Sequence, residues 1–201
     1  MATYVYVTVE IDEAKYLADL IGVESDLKTT IEWCDKFVSL LDDRDSFWLI
    51  EPLTTAILIR FIRALGTGVR SNCAKSLLCV LTEDEKEKYE NFNNIRSKHV
   101  AHSVNEFEEN EVKAYYNQDA IEQGVTSIGE GHTRVIGLSG YDVEAIRNIC
   151  IKLIEKIKSE KNAEKKKVLE IISNWTSEDI KKCQAKSPKR IADMDISKRR
   201  K

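Results

Sequence analysis

Arg96, His99 and His102 are spaced so that one helix would carry a fixed cation and two imidazoles along one edge. With Arg96 at zero and about 100° per residue, Tyr89, Phe92, Val100, Val104 and Phe107 fall within about 80° of it. The spacing therefore puts Arg96 in the middle of an apolar stripe. His99 and His102 fall about 60° and 120° to one side, and Asn91, Asn94, Lys98 and Asn105 take the opposite face. A guanidinium cannot shed its charge, so on such a stripe it must meet a carboxylate, a phosphate or another chain. Imidazole gives or takes a proton near neutral pH, and the guanidinium fork matches a phosphate. Together they could cleave RNA without a metal: a base for the 2′-hydroxyl, an acid for the departing 5′-oxygen, a cation for the phosphorane. DNA lacks the 2′-hydroxyl and should survive. Arg96 and His102 are the catalytic candidates, with His99, Ser97 and Asn93 as accessory or substrate-binding residues. The structural alternative has Arg96 snorkelling past its neighbours or paired with an acid such as Glu51, and the histidines capping the seam.

Other chemistries find less support. His99 and His102 could supply two metal ligands on adjacent turns, but no Cys or His pair of ligand spacing offers a third, so neither metal nor cofactor is expected. Gly66-Thr67-Gly68-Val69-Arg70 lacks the length and the Lys-Ser/Thr of a phosphate-binding loop and reads as a helix stop. No G-x-S-x-G elbow is present.

The segment Arg96-Ser97-Lys98-His99-Val100-Ala101-His102-Ser103 resembles the R-x(4-6)-H signature of the HEPN superfamily, an all-helical group containing many RNases. The resemblance covers about eight residues, and the helical layout over 25–175 is compatible with it. Ser97 stands where Asn, Asp or His is commoner, and the Ala101-His102 pairing makes His102, more than His99, similar to the family's histidine. The resemblance implies a bundle of four or five helices and a homodimer with two motifs at one cleft. It also implies metal-independent RNA cleavage in abortive infection or toxin biology, with RNA as substrate and an antitoxin protein as partner. The alternative on the same fold is a non-catalytic dimerisation or nucleotide-binding module.

The 201 residues are 42% hydrophobic and 32% charged, with two prolines and eight glycines, which excludes a chain disordered throughout. A chain of this length buries about 70% of its unfolded surface and needs no disulfide or metal to hold a core. The net charge of −3 hides an asymmetry. Residues 186–201 hold seven basic and two acidic residues, leaving 24 basic against 32 acidic before them, so the body is −8 and the end +5. An acidic body argues against a general nucleic-acid coat, whereas a basic tail can reach phosphate or anionic lipid. Five cysteines without a C-x-x-C pair, and no leader-like apolar run, point to reduced thiols and a cytoplasmic protein. The longest apolar run near a span, Leu53 to Ile59, stops at Arg60, so no membrane partner is expected.

The elements that must position Arg96 are mainly helical, with a small β-hairpin insert: the fold class is mainly α, a HEPN-like bundle. Residues 1–24 read as an N-terminal segment with a short strand, where Val5, Val7, Val9 and Ile11 alternate with Tyr4, Tyr6 and Thr8. The helical domain is expected over 25–185. Leu27, Ile31, Cys34, Phe37, Val38 and Leu41 form a first stripe from Ser25, and Leu53, Ile57, Phe61, Ala64 and Leu65 a second after Pro52. A short helix fits Ser71 to Leu81. Thr82-Glu83-Asp84-Glu85 has the form of a capping box and opens a helix running through His102. A hairpin insert is expected over about 111–138, turning at Gly129-Glu130-Gly131. Beyond Gly140, Val143, Ile146, Ile149, Cys150, Leu153, Ile154 and Ile157 form a long stripe. Lys158 to Lys167 reads as a solvated face, and 186–201 as a basic disordered tail.

Overall fold

A computed structural model describes residues 6–66, 71–97, 108–134 and 137–183. Its elements are helices α1 (Asp12–Leu40), α2 (Ile50–Leu65), α3 (Ser71–Leu78), α4 (Glu83–Ile95), α5 (Gly140–Ile172) and α6 (Ser177–Lys182), with strands β1 (Glu108–Tyr116) and β2 (Val125–Arg134) between α4 and α5. The fold is mainly α with a small antiparallel hairpin.

Buried positions on α1 follow a 3-4 spacing through Leu20, Val23, Leu27, Thr30, Cys34 and Phe37, which keeps one narrow seam facing a partner helix. On α5, Val143, Ile146, Cys150, Leu153 and Ile157 do the same. The two run antiparallel, since Arg147 pairs with Asp35 at 2.6 Å and Lys161 with Glu24 far along both helices. Helix α2 returns along α1, held by Arg60 and Arg63 on the buried carboxylate of Asp26 at 3.0 and 2.8 Å. Helix α4 runs back along α2, with Phe61 edge-on to Tyr89 and Phe92. The result is an up-down-up-down bundle whose core includes Phe37, Phe61, Ile57, Leu77 and Leu153. At its upper end lie the last turn of α1 and the first turns of α2 and α5, toward which α4 runs. At its lower end lie the start of α1, the end of α2, and α3.

Several expectations are corrected. Residues 6–10 of the anticipated strand form no strand, since no neighbouring strand supplies a ladder; residues 1–5 lie outside the described residues. Helix α1 starts at Asp12 rather than Ser25 and runs unbroken through Gly22. A helical glycine costs about 1 kcal/mol, which burying Leu20 and Val23 outweighs. Helix α2 stops at Gly66, as its glycines suggested. The continuation of α4 to His102 and the basic segment 186–201 lie outside the described residues. The run 158–167 is not wholly solvated, because Glu160 and Lys161 reach across to α1.

The hairpin turns elsewhere than expected. Gly129 and Gly131 sit inside β2, and the connection is a 3-10 turn over Gln118–Gln123, opened by the Asn117 side chain accepting from the Asp119 N–H and closed by Gly124 at φ +73°. Gly129 leaves room for the Tyr115 ring, which lies over the strand: a Cβ there would stand 2.7 Å from the ring and displace that exposed side chain.

Candidate functional site

The capping box at the start of α4 forms as read from the sequence. The Thr82 hydroxyl accepts from the Glu85 N–H at 3.3 Å, and the Glu85 carboxylate accepts from the Thr82 N–H at 2.7 Å. Lys152 of α5 donates to the same carboxylate at 2.6 Å, and this contact, ahead of the Thr82 amide, holds the Glu85 carboxyl below its ordinary range. The first turn of α4 is thereby pinned to α5. Further along, the Tyr89 O–H donates to the Leu65 carbonyl at 3.3 Å, and burial pushes the phenol pKa up. These contacts aim α4 at the upper end, where Gly137 abuts Thr54 and Gly140 abuts Leu41.

Arg96 caps that end of α4. It is exposed, not set in a buried seam as the stripe suggested. The buried line of α4 consists of Tyr89 and Phe92, with Ile95 half-buried against the core. Arg96 keeps helical φ and ψ, and the π-turn that includes Arg96 and Ser97 lies at the helix end, past the buried line. The long side chain then reaches water. Among the described residues no carboxylate pairs with Arg96. Ser97 and Asn93 are half-buried beside it, and the Asn93 carbonyl accepts from the Arg96 N–H. His99 and His102 lie outside the described residues, as do Val100, Val104 and Phe107. The structure thus brings Arg96, Ser97 and Asn93 together and describes neither imidazole.

Two exposed aromatic residues near the starts of α2 and α5 lie outside the stripes read from the sequence. Trp48, in the 3-10 turn Arg44–Leu49, is 72% exposed and Tyr141, in the first turn of α5, is 86% exposed. Val38 and Leu41 are exposed too, and Asp42, Asp43 and Asp45 border them. The signal for Trp48 was its place in an acidic stretch off every apolar stripe. Tyr141 could have been found from its position just inside the N-cap Ser139, on the polar side of α5.

At the lower end, Tyr16, Ser76 and Glu160 form a second titratable cluster. The Tyr16 O–H donates to the Glu160 carboxylate at 2.7 Å, Ser76 Oγ lies 3.1 Å from the phenol oxygen, and Lys156 pairs with Glu160 at 3.2 Å. Burial, with the Glu160 charge adding to it, pushes the phenol up to about 12, too high for a base near neutral pH. Burial likewise raises the Cys34 thiol to about 12 and Cys150 well above its ordinary value, so neither is a nucleophile. No disulfide joins the cysteines. Among the described residues no group of three His, Cys, Asp or Glu could hold a metal ion, and no helix is long and apolar enough to cross a membrane. Compared with known proteins, the chain matches no family model, no curated protein and no solved structure.

Proposed function

We propose that this chain is a metal-independent endoribonuclease of a defence or toxin–antitoxin type system, acting in the cytoplasm as a homodimer under the control of an antitoxin protein. The observation that carries the reading is Arg96: an exposed guanidinium at the end of a capped, well-packed helix, followed within six residues by His99 and His102. A cation held in water at a rigid helix end suits a phosphodiester, because binding it costs little desolvation and the fork can meet two phosphate oxygens. His102 takes the proton from the 2′-hydroxyl or supplies one to the leaving 5′-oxygen, with His99 in support. Attack by the 2′-oxygen on phosphorus breaks the P–O5′ bond and leaves a 2′,3′-cyclic phosphate and a 5′-hydroxyl. Arg96 faces the charge on the phosphorane. Ser97 and Asn93 offer hydrogen bonds to substrate.

A second reading, a non-catalytic interaction module, draws on the exposed Trp48 and Tyr141 near the starts of α2 and α5, since large aromatics anchor protein interfaces. Purified protein incubated with mixed RNA in excess chelator separates the two. The enzyme degrades RNA, leaves DNA of the same sequence intact, and loses activity on Arg96→Ala. RNA that survives at every protein concentration leaves the module reading in place.

A further inference from the structure

On the α1–α2 face two arginines answer one carboxylate. Arg60 Nη1 and Arg63 Nη2 both donate to Asp26 Oδ1, at 3.0 and 2.8 Å. The Asp26 side chain is buried, Arg60 is partly covered, and Arg63 is 61% exposed. One arginine is enough to pair a buried carboxylate. The second leaves the trio with a surplus positive charge, because a guanidinium stays protonated. No acid stands three or four positions from Asp26 on α1, or from Arg60 and Arg63 on α2, so neither helix supplies a neighbour one turn away to cancel it. The chain before residue 186 is acidic overall, and this spot runs against that balance.

The two cations are also held in place. The Arg60 guanidinium lies over the Trp33 ring, 4.8 Å from its centroid, and Asp26 fixes one nitrogen of each fork. Both nitrogens approach the same oxygen, so the two forks stand close enough for one anion to meet both. Side chains ordered before a ligand arrives lose little freedom when it binds. A guanidinium has five N–H donors, and a phosphodiester has two unesterified oxygens to accept from a pair of forks.

We propose that Arg60 and Arg63 bind a backbone phosphate of single-stranded nucleic acid, gripping the RNA at a position other than the bond cut beside Arg96. The two positions are separate because α4 packs on α2 through Phe61, whereas Arg60, next in sequence, turns about 100° away from it toward α1. A grip of this kind adds affinity and sets the path of the strand without reading its bases. The choice of nucleic acid as the ligand rests on the nuclease reading; the surplus cation does not.

The test uses the full-length chain and a short fluorescein-labelled single-stranded DNA, which shares the phosphate backbone of RNA but cannot be cut by 2′-hydroxyl attack. Anisotropy titrations at several salt concentrations are compared for wild type, Arg63→Gln and the charge-matched control Lys166→Gln. Arg63→Gln should weaken binding about tenfold at low salt and lower the slope of log affinity against log salt by about 0.7, with the control changing less. Arg60 still pairs Asp26 in this variant, and thermal melts verify its folding. The wild type supplies a second readout: DNA should change the emission of Trp33, and that part of the signal should vanish in Trp33→Phe. Arg63→Gln binding like wild type, equal losses in Arg63→Gln and Lys166→Gln, no Trp33 response, or a poly-glutamate peptide bound through Arg63 where DNA is not, overturns the proposal. Arg63-dependent binding by a chain that leaves RNA intact in chelator removes the nuclease reading and keeps the site; RNA cleavage with Arg63→Gln binding like wild type does the reverse.

Discussion

The Tyr16 cluster and the Arg96 end of α4 treat their polar groups in opposite ways. At the lower end each one used is answered from within the chain: Tyr16 and Ser76 by Glu160, Glu160 also by Lys156, and Glu24 by Lys28 and Lys161. At the end of α4 Arg96 is exposed without a carboxylate partner among the described residues. Both ends hold titratable or charged side chains on rigid helices, so composition does not separate them. Satisfaction does. A polar cluster whose hydrogen bonds close on themselves stabilises a fold, whereas one left open has its interactions to offer to a ligand.

The largest effect should come from the motif that begins at Arg96. His102→Ala is expected to lower the rate of RNA cleavage by roughly 10² to 10⁴, about 3 to 5 kcal/mol of transition-state stabilisation, while leaving the melting temperature near the parent value. Initial rates and thermal melts on one preparation check it; early melting with retained cleavage would make His102 a structural residue and erase the contrast. Next comes Phe61→Ala, between Tyr89 and Phe92, expected to cost about 3 to 5 kcal/mol in urea unfolding. Because Phe61 sets the line of α4, the remaining folded protein should also cleave more slowly, and full specific activity would show that α4 is positioned without it.

The closed end should respond mainly in stability, and less strongly. Tyr16→Phe removes the donor to Glu160 and should cost about 1 kcal/mol with cleavage unchanged. Its pH signature has a definite sign. The folded phenol titrates near 12, above its ordinary 10.0, so the stabilisation is full below pH 10 and lost as pH rises toward 12. Glu24 behaves oppositely: Lys161 and then Lys28 hold its carboxyl below its ordinary 4.5, so its contribution is full above pH 4.5 and fades as pH falls below that value. Denaturant midpoints across pH should lose the alkaline component in Tyr16→Phe and the acid component in Glu24→Gln; a variant that keeps its parent's pH profile would break the assignment. Smallest is the effect of Trp48→Ala and Tyr141→Ala, each expected within about 0.5 kcal/mol of the parent on unfolding. A larger loss would move them from the open class to the structural one.

The helical core was legible because its stripes are long and regular. The α5 pattern from Val143 to Ile157 and the Thr82–Glu85 capping box appear as read. What failed did so where a local signal had two meanings. Gly129-Glu130-Gly131 carries the composition of a turn, but Gly129 makes room for Tyr115 and Gly131 for Glu111 and Lys113, contacts that no run of neighbouring residues displays. Val7 and Val9 alternate as in a strand, yet period two without a pairing neighbour forms no ladder. For the site, residue types and spacing located Arg96 at the end of α4, but the wheel gives the direction of a side chain and not what covers it, and the long Arg96 side chain is exposed. The pairings of Glu24 with Lys161 and of Tyr16 with Glu160 were beyond reach, since each joins residues well over a hundred positions apart.

Those separations bear on how the chain is made. Asp35 meets Arg147 and Tyr16 meets Glu160, 112 and 144 residues away, so the seam of α1 has its main cover on the last long helix to be synthesised. A ribosome delivering residues in order releases Leu20, Val23, Leu27 and Phe37 long before Leu153 and Ile157 exist to meet them. Helix α2 shields one flank in the interval. The rest of the seam waits, an adhesive surface on an unfinished molecule, until α5 emerges and closes a loop of more than a hundred residues.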